Sequence, residues 1–290
     1  MGTDGRVDVA VNTDPLHGEG PCWDEQAGVL WWVDILGGAV HRFDPATGVD
    51  QRIEVGQPVG AAVGRAGGGL VLAVEHGFAF LNEGTVKPLV TVIDDPGVRF
   101  NDGKADPVGR FLAGTMAYDE TPGAGRLFRL EPSGAVAPVL DGLTISNGLA
   151  WTPDARTLYF IDSPTQQVRA YSYDPDTGVA TDPRVVVDIP RADGLPDGMT
   201  IDADGCLWVA LYGGGAVRRY TPDGRCDRTV TLPVSQVTSC AFGGPELRHL
   251  YITTSPHGLD PAQRSAQPHA GAVFWYDAGV SGLPAHRYAG

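Results

Sequence analysis

Residues 150–178 read "AWTPDARTLYFIDSPTQQVRAYSYDPDTG". Apolar and polar residues alternate over short runs, and Pro-Asp or Asp-Pro pairs break the runs. That period of two belongs to short, half-buried strands joined by tight turns. The same order returns in "CWDEQAGVLWWVDILGGAVHRFDPATG" (22–48) and in "TIDADGCLWVALYGGGAVRRYTPDG" (200–224). Each copy has an apolar strand start, an acidic or glycine-containing turn and an aromatic-rich strand. A second turn and a strand ending on a further turn follow. Weaker copies occupy 63–81, 105–134 and 240–279. Six units recurring at roughly 45 residues have the size of a four-stranded propeller blade. A sandwich of hairpins is the rival architecture, and the regular spacing favours the propeller. The expectation is therefore an all-β, six-bladed β-propeller forming one domain over 1–290. The opening strand "VDVAV" (7–11) is expected to pair with the last unit, because an unclosed ring would leave exposed strand edges.

Composition agrees with this and narrows the function. The chain of 290 residues holds 40 glycines and 23 prolines without a collagen-like period, which suits many tight turns. A net charge of −14 argues against nucleic acid or an anionic membrane as partner, since phosphate binding needs a basic footprint. No apolar run reaches the ~18 residues of a membrane helix, and none marks the opening as a secretion signal. Arg6 breaks the myristoylation pattern that Met1-Gly2 would begin. Cys22, Cys206, Cys226 and Cys240 form no C-x-x-C pair and read as reduced, mostly buried thiols of a cytoplasmic protein. The six tryptophans recur at blade positions and read as core.

Four stretches depart from ordinary turn chemistry: "HGEGPCWD" (17–24), "RFNDGKADPVGRFLAGTM" (99–116), "SNGLAW" (146–151) and "LPDGMTID" (195–202). Each precedes an apolar strand start at a similar phase of its unit, and in a ring equal phases converge on the axis. Glu19, Asn147 and Asp197 would then supply two carboxylates and an amide carbonyl, an all-oxygen set suited to a hard divalent cation. Two carboxylates left together without a cation would repel and be poorly solvated. Singly, Asn-Gly and Pro-Asp-Gly are common turns; the shared phase is what distinguishes them here. Arg99 and Asn101 share one face of an extended segment, with Phe100 turned into the blade. Competing chemistries lack their patterns. The histidines show no H-x-x-x-H or H-E-x-x-H spacing, no G-x-S-x-G is present, and the glycine run in "LYGGGAV" opens no helix.

The longer motifs "GEGPCW" with "LWWVDI", "RFNDGKADPVGRFLAGTM", "ISNGLAWTPDARTLYFIDS", "LPDGMTIDADGCLWVALYGGGAVRRY", "LPVSQVTSCAFGG" and "GLPAHRYAG" run nearly end to end. In content and order they resemble the senescence marker protein/gluconolactonase family. The resemblance implies a six-bladed propeller with one catalytic divalent metal in its central channel, held by Glu19, Asn147 and Asp197. It implies Arg99 and Asn101 as substrate contacts, with a further carboxylate from "GTMAYDET" (114–121), Glu120 rather than the adjacent Asp119. Asp102 either orients a metal ligand or makes a local Asx hydrogen bond, and Lys104 receives no role. His17 departs from the leucine or cysteine common in the family and likewise receives none. The implied activity is hydrolysis of a five- or six-membered aldonolactone, gluconolactone-like, to the aldonic acid. Asp197 would act as base toward water, Arg99 would steady the developing oxyanion, and Asn101 would orient sugar hydroxyls. All-oxygen ligation admits Ca²⁺, Mn²⁺, Mg²⁺, Fe²⁺ or Zn²⁺. The expected partner is a small-molecule sugar lactone met by the loops 117–126 and 255–272; the oligomeric state leaves no mark in the sequence. Two rival readings share the site: a promiscuous ester or phosphotriester hydrolase, and a non-enzymatic calcium-binding propeller.

Overall fold

The computed structural model describes residues 6–290. Twenty-four strands form six antiparallel sheets of four strands each. In blades 1 to 5 the chain runs from the innermost strand outward in sequence order. The innermost strands are Gly18–Asp24, Val59–Gly64, Val98–Ala105, Ser146–Trp151 and Leu195–Ile201. Blade 6 starts at Val237–Gly243 and takes its outermost strand from the other end of the chain. There Val7–Val11 pairs antiparallel with Val273–Asp277, Val7 opposite Tyr276. Each innermost strand packs on those of the two neighbouring blades, and Val237–Gly243 meets Gly18–Asp24, so the ring is closed. The fold is a six-bladed β-propeller, with the closure that the sequence led one to expect.

Apolar clusters fill the gaps between adjacent sheets, because each sheet presents a hydrophobic row to both neighbours. Trp208, Phe242 and Tyr276 pack between blades 5 and 6. Phe78, Phe100 and Phe111 pack between blades 2 and 3. Phe100 is fully buried, facing away from the channel as its alternation required. Full burial of such a side chain stabilises by about 1.5–3 kcal/mol. Trp23, Trp32, Trp151 and Trp208 are core residues, whereas Trp31 and Trp275 are only half-buried.

The channel has two different ends. At one end the blades leave an open cavity. Across the other end runs the tail, which bridges Asp202 of blade 5 through Gly282 and Arg65 of blade 2 through Tyr288. Blades 2 and 5 are opposite in a ring of six, so residues 283–286 cross the axis and cover that mouth. All four thiols are free; Cys206 and Cys240 are buried, Cys22 is half-buried and Cys226 is exposed at the start of an outer strand. One expectation needs correction. The loop 255–272 contains a short helix, Pro261–Ala266, where a strand-only reading saw none. Asp260 caps it, accepting from Gln263 N while the Gln263 side chain returns to Asp260 N.

Candidate active site

Every innermost strand carries a β-bulge at one phase. Pairing slips between Glu19 and Cys22, Val59 and Ala61, Phe100 and Gly103, Asn147 and Leu149, Pro196 and Met199, and Val237 and Ser239. A bulge breaks the ladder locally and re-aims a side chain. The residue before the bulge glycine or serine is thus Glu19, Val59, Asp102, Asn147, Asp197 and Thr238 in blades 1 to 6. Close approach near the axis explains the small residue that follows. A Cβ on Gly60 would stand 2.1 Å from Asn101 O, and one on Gly148 would stand 2.7 Å from Asp197 O.

Glu19, Asn147, Asp197, Arg99, Asn101 and Glu120 all line the open cavity, whose volume is about 400 Å³. Asp119 does not line it: its carboxylate accepts from Thr121 N at 3.0 Å and Thr121 Oγ1 at 2.7 Å. Glu120 reaches the cavity from a left-handed backbone conformation (φ 56°), a strained state of the kind that clusters at functional sites. Asp102 lies deeper. It lines the covered end of the channel, and its Oδ1 accepts from Gly103 N at 2.7 Å. Lys104 also faces that end and donates to Met199 O at 2.8 Å.

Glu19 and Asp197 are both buried, at 4% and 8% exposure. Burial, then the charges of Asp197 and Asp102, push the Glu19 carboxyl well above the usual carboxylate range. Burial and Asp102 do the same to Asp197, opposed by the Asn147 amide, the Glu19 carboxyl and Gly198 N. The third donor completes the picture. Asn147 Nδ2 donates to Ser163 Oγ at 3.1 Å, and the buried Oδ1 accepts no hydrogen bond. Two crowded carboxylates and an orphaned carbonyl oxygen fit a hard divalent cation, which would offset the repulsion and satisfy the oxygen.

Arg99 is buried above this set. Its Nη1 donates to Phe100 O at 3.0 Å and to Asn101 Oδ1 at 2.8 Å, and its Nε is buried without a partner. Burial pulls the guanidinium down from its usual value, against the opposing pull of Tyr118, Glu19 and Glu120. Asn101 Nδ2 donates to Ser146 O at 3.0 Å. The Asn101 amide is therefore engaged on both sides, and its plain structural effect is to hold Arg99.

Four further side chains on the cavity received no individual role in the sequence reading: His17, Tyr118, Tyr212 and His257. Tyr118 lies under Arg99, 5.6 Å from the guanidinium carbon to the ring centre, and its hydroxyl donates to Glu75 at 2.6 Å. Burial, then Asp197 and Glu120, raise the Tyr212 phenol to about 12. Burial, then Arg99 and His257, lower the His17 imidazole to about 3. No spacing rule links these residues, since they come from blades 1, 3, 5 and 6. The only pointer to them is position: Tyr118, Tyr212 and His257 stand at or just beyond the ends of second strands, and His17 just before an innermost strand.

Fold and site together define a closed six-bladed propeller whose channel presents buried oxygen donors beneath a guanidinium. Residues 17–256 match the family described as the SMP-30/Gluconolactonase/LRE-like region, and the chain belongs to that family. It is 41% identical to regucalcin of Xenopus laevis over 98% of this chain and 99% of that one. It is 38% identical to a Bacillus subtilis protein named "Putative sugar lactone lactonase YvrE", covering 97% and 98%. Among solved structures, a calcium-binding protein, regucalcin, from Agrobacterium tumefaciens superposes with a TM-score of 0.94 at 30% identity, covering 98% and 97%.

Proposed function

We propose that the protein is a divalent-metal-dependent sugar lactonase that opens a five- or six-membered aldonolactone to the aldonic acid. Membership of the gluconolactonase family carries the coarser statement, that the chain is a hydrolase of lactone esters. The finer reading rests on one observation: the buried Glu19–Asp197 pair beside an Asn147 Oδ1 that accepts no hydrogen bond. A cation at that place supplies Lewis acidity toward a carbonyl and lowers the pKa of water. Glu19, Asn147 and Asp197 would hold it through side-chain oxygens. Asp197 takes the proton of the water that attacks the lactone carbonyl carbon. Arg99, fixed by Asn101, directs its free guanidinium edge at the oxygen on which negative charge develops, an interaction strengthened by burial. Glu120 accepts from sugar hydroxyls at the rim.

The same reading takes 1–290 as one propeller domain acting in the cytoplasm on a small molecule. The free cysteines support a reducing compartment, and the net charge of −14 speaks against a nucleic-acid partner. No helix among the described residues is long and apolar enough to cross a membrane. The test is a pH-drop assay on a panel of aldonolactones with chelated protein and each divalent ion added back. Activity should vanish on chelation and return with metal. Undiminished hydrolysis after chelation overturns the metal dependence. Phosphotriester turnover exceeding lactone turnover would favour the promiscuous hydrolase. Metal-induced stabilisation without any turnover would leave a calcium-binding propeller.

A further inference from the structure

The cavity has two facing walls. Blade 3 supplies Arg99, Tyr118 and Glu120, and the blades around its opposite side supply His17, Tyr212 and His257. His17 is held in place before its ring makes any contact. His17 N donates to Asp34 Oδ1 at 2.9 Å, and His17 O accepts from Ile35 N at 3.0 Å. Its ring stands edge-on to His257, 5.7 Å between centres.

The hydrogen bonding of Ser255 fixes which ring nitrogen carries the proton. Ser255 is fully buried; its Oγ accepts from His257 N at 3.0 Å and lies 2.8 Å from His17 Nδ1. Among the described residues, His17 Nδ1 is the one acceptor within reach of that hydroxyl hydrogen. Were Nδ1 protonated, a buried hydroxyl would go without an acceptor, at a cost of about 1–3 kcal/mol. So Nδ1 accepts and Nε2 bears the hydrogen. Nε2 has no protein partner and is not sealed in, which leaves a fixed N–H donor on the cavity wall.

We propose that His17 is a specificity-determining residue whose Nε2–H donates to a hydroxyl oxygen of the bound lactone on the edge facing away from Arg99. The inference rests on the lactonase reading and deepens it. The preferred substrates are polyhydroxylated lactones, and a lactone with bare ring carbons on that edge forgoes the bond. Leucine at this position would fill the space and offer no donor. Glutamine would place an amide N–H near the position of Nε2.

The experiment compares wild type, His17→Leu and His17→Gln, each metal-loaded, on glucono-1,5-lactone and on δ-valerolactone, the same ring without hydroxyls. The ratio of kcat/KM for the two lactones should fall about tenfold in His17→Leu, mainly through KM, and recover in His17→Gln. An unchanged ratio, or a loss equal on both lactones and not rescued by glutamine, overturns the proposal. Gluconate binding by calorimetry provides a separate readout and should weaken and recover in the same pattern. If wild type hydrolyses neither lactone, the lactonase reading fails. The role of His17 is then decided by gluconate binding alone: dependence on the Nε2–H sustains it, and indifference ends it.

Discussion

Burial raises the carboxyls of Glu19 and Asp197 well above the usual range, helped by Asp197 and Asp102 at Glu19 and by Asp102 at Asp197, so the metal-free fold binds more protons than the unfolded chain. Unfolding free energy then falls as pH rises from the ordinary carboxylate value through the raised ones. Melting of chelated protein should therefore show stability decreasing as pH rises above the ordinary carboxylate range. Glu19→Gln should flatten that dependence and raise the metal-free melting temperature at the upper end. Stability that climbs with pH in the chelated wild type would contradict the account. Arg99 makes a different prediction, because none of its hydrogen bonds touches the oxygen set. Arg99→Ala should lower kcat/KM by roughly 10²–10³ while divalent-ion affinity by calorimetry persists. Loss of metal binding would show that Arg99 belongs to the cation site instead. The roles of Glu19, Asn147 and Asp197 were suggested by their phase in the sequence. The engagement of Asn101 with Arg99 and Ser146 was not, since alternation places two side chains on one face without saying what they bond.

At the scale of the strand, the bulges explain why polar residues can stand where a ladder would otherwise continue. They also impose glycine, because the innermost strands converge near the axis. Gly60 is the tightest informative case, with its would-be Cβ 2.1 Å from Asn101 O, backbone that cannot swing aside. Gly60→Ala should cost about 1–3 kcal/mol in denaturant melts, and it should reduce turnover by displacing the residue that holds Arg99. Gly67→Ala, where a Cβ meets nothing within 4 Å, is the control and should melt like wild type. The repeated dipeptides Glu-Gly, Asp-Gly, Asn-Gly and Asp-Gly were visible as turn-like signals. That they lie inside strands, and not in hairpin loops, follows from pairing across the blade. The helix 261–266 was also legible in principle, since Asp-Pro-x-Gln is a capping sequence, but it is shorter than any periodicity test can detect.

In the whole molecule, the ring is closed by Val7–Val11 on Val273–Asp277. Removing residues 1–11 should expose the edge of Val273–Asp277 and break the closure. Calorimetry should record a melting temperature lower by more than about 5 °C, and size-exclusion chromatography should show association through the bare edge. A monomer of unchanged stability would mean that the closing strand is dispensable. The tail over the far mouth, bridged to opposite blades, leaves one open end to the channel and so one face for substrate entry.

The sequence by itself determined the repeat, the number of blades and the phase at which oxygen donors meet the axis. These follow from local alternation, turn chemistry and spacing, which survive in any one unit read alone. Only the tertiary structure decided which side chains share a cavity with that phase. His17, Tyr212 and the Ser255–His257 pair belong to three blades, and their approach depends on how the ring closes. Asp102 occupies the same phase as Glu19 yet lines the covered end of the channel. A phase fixes distance along the repeat; the side of the channel that a residue reaches is set by the bulge and its packed neighbours.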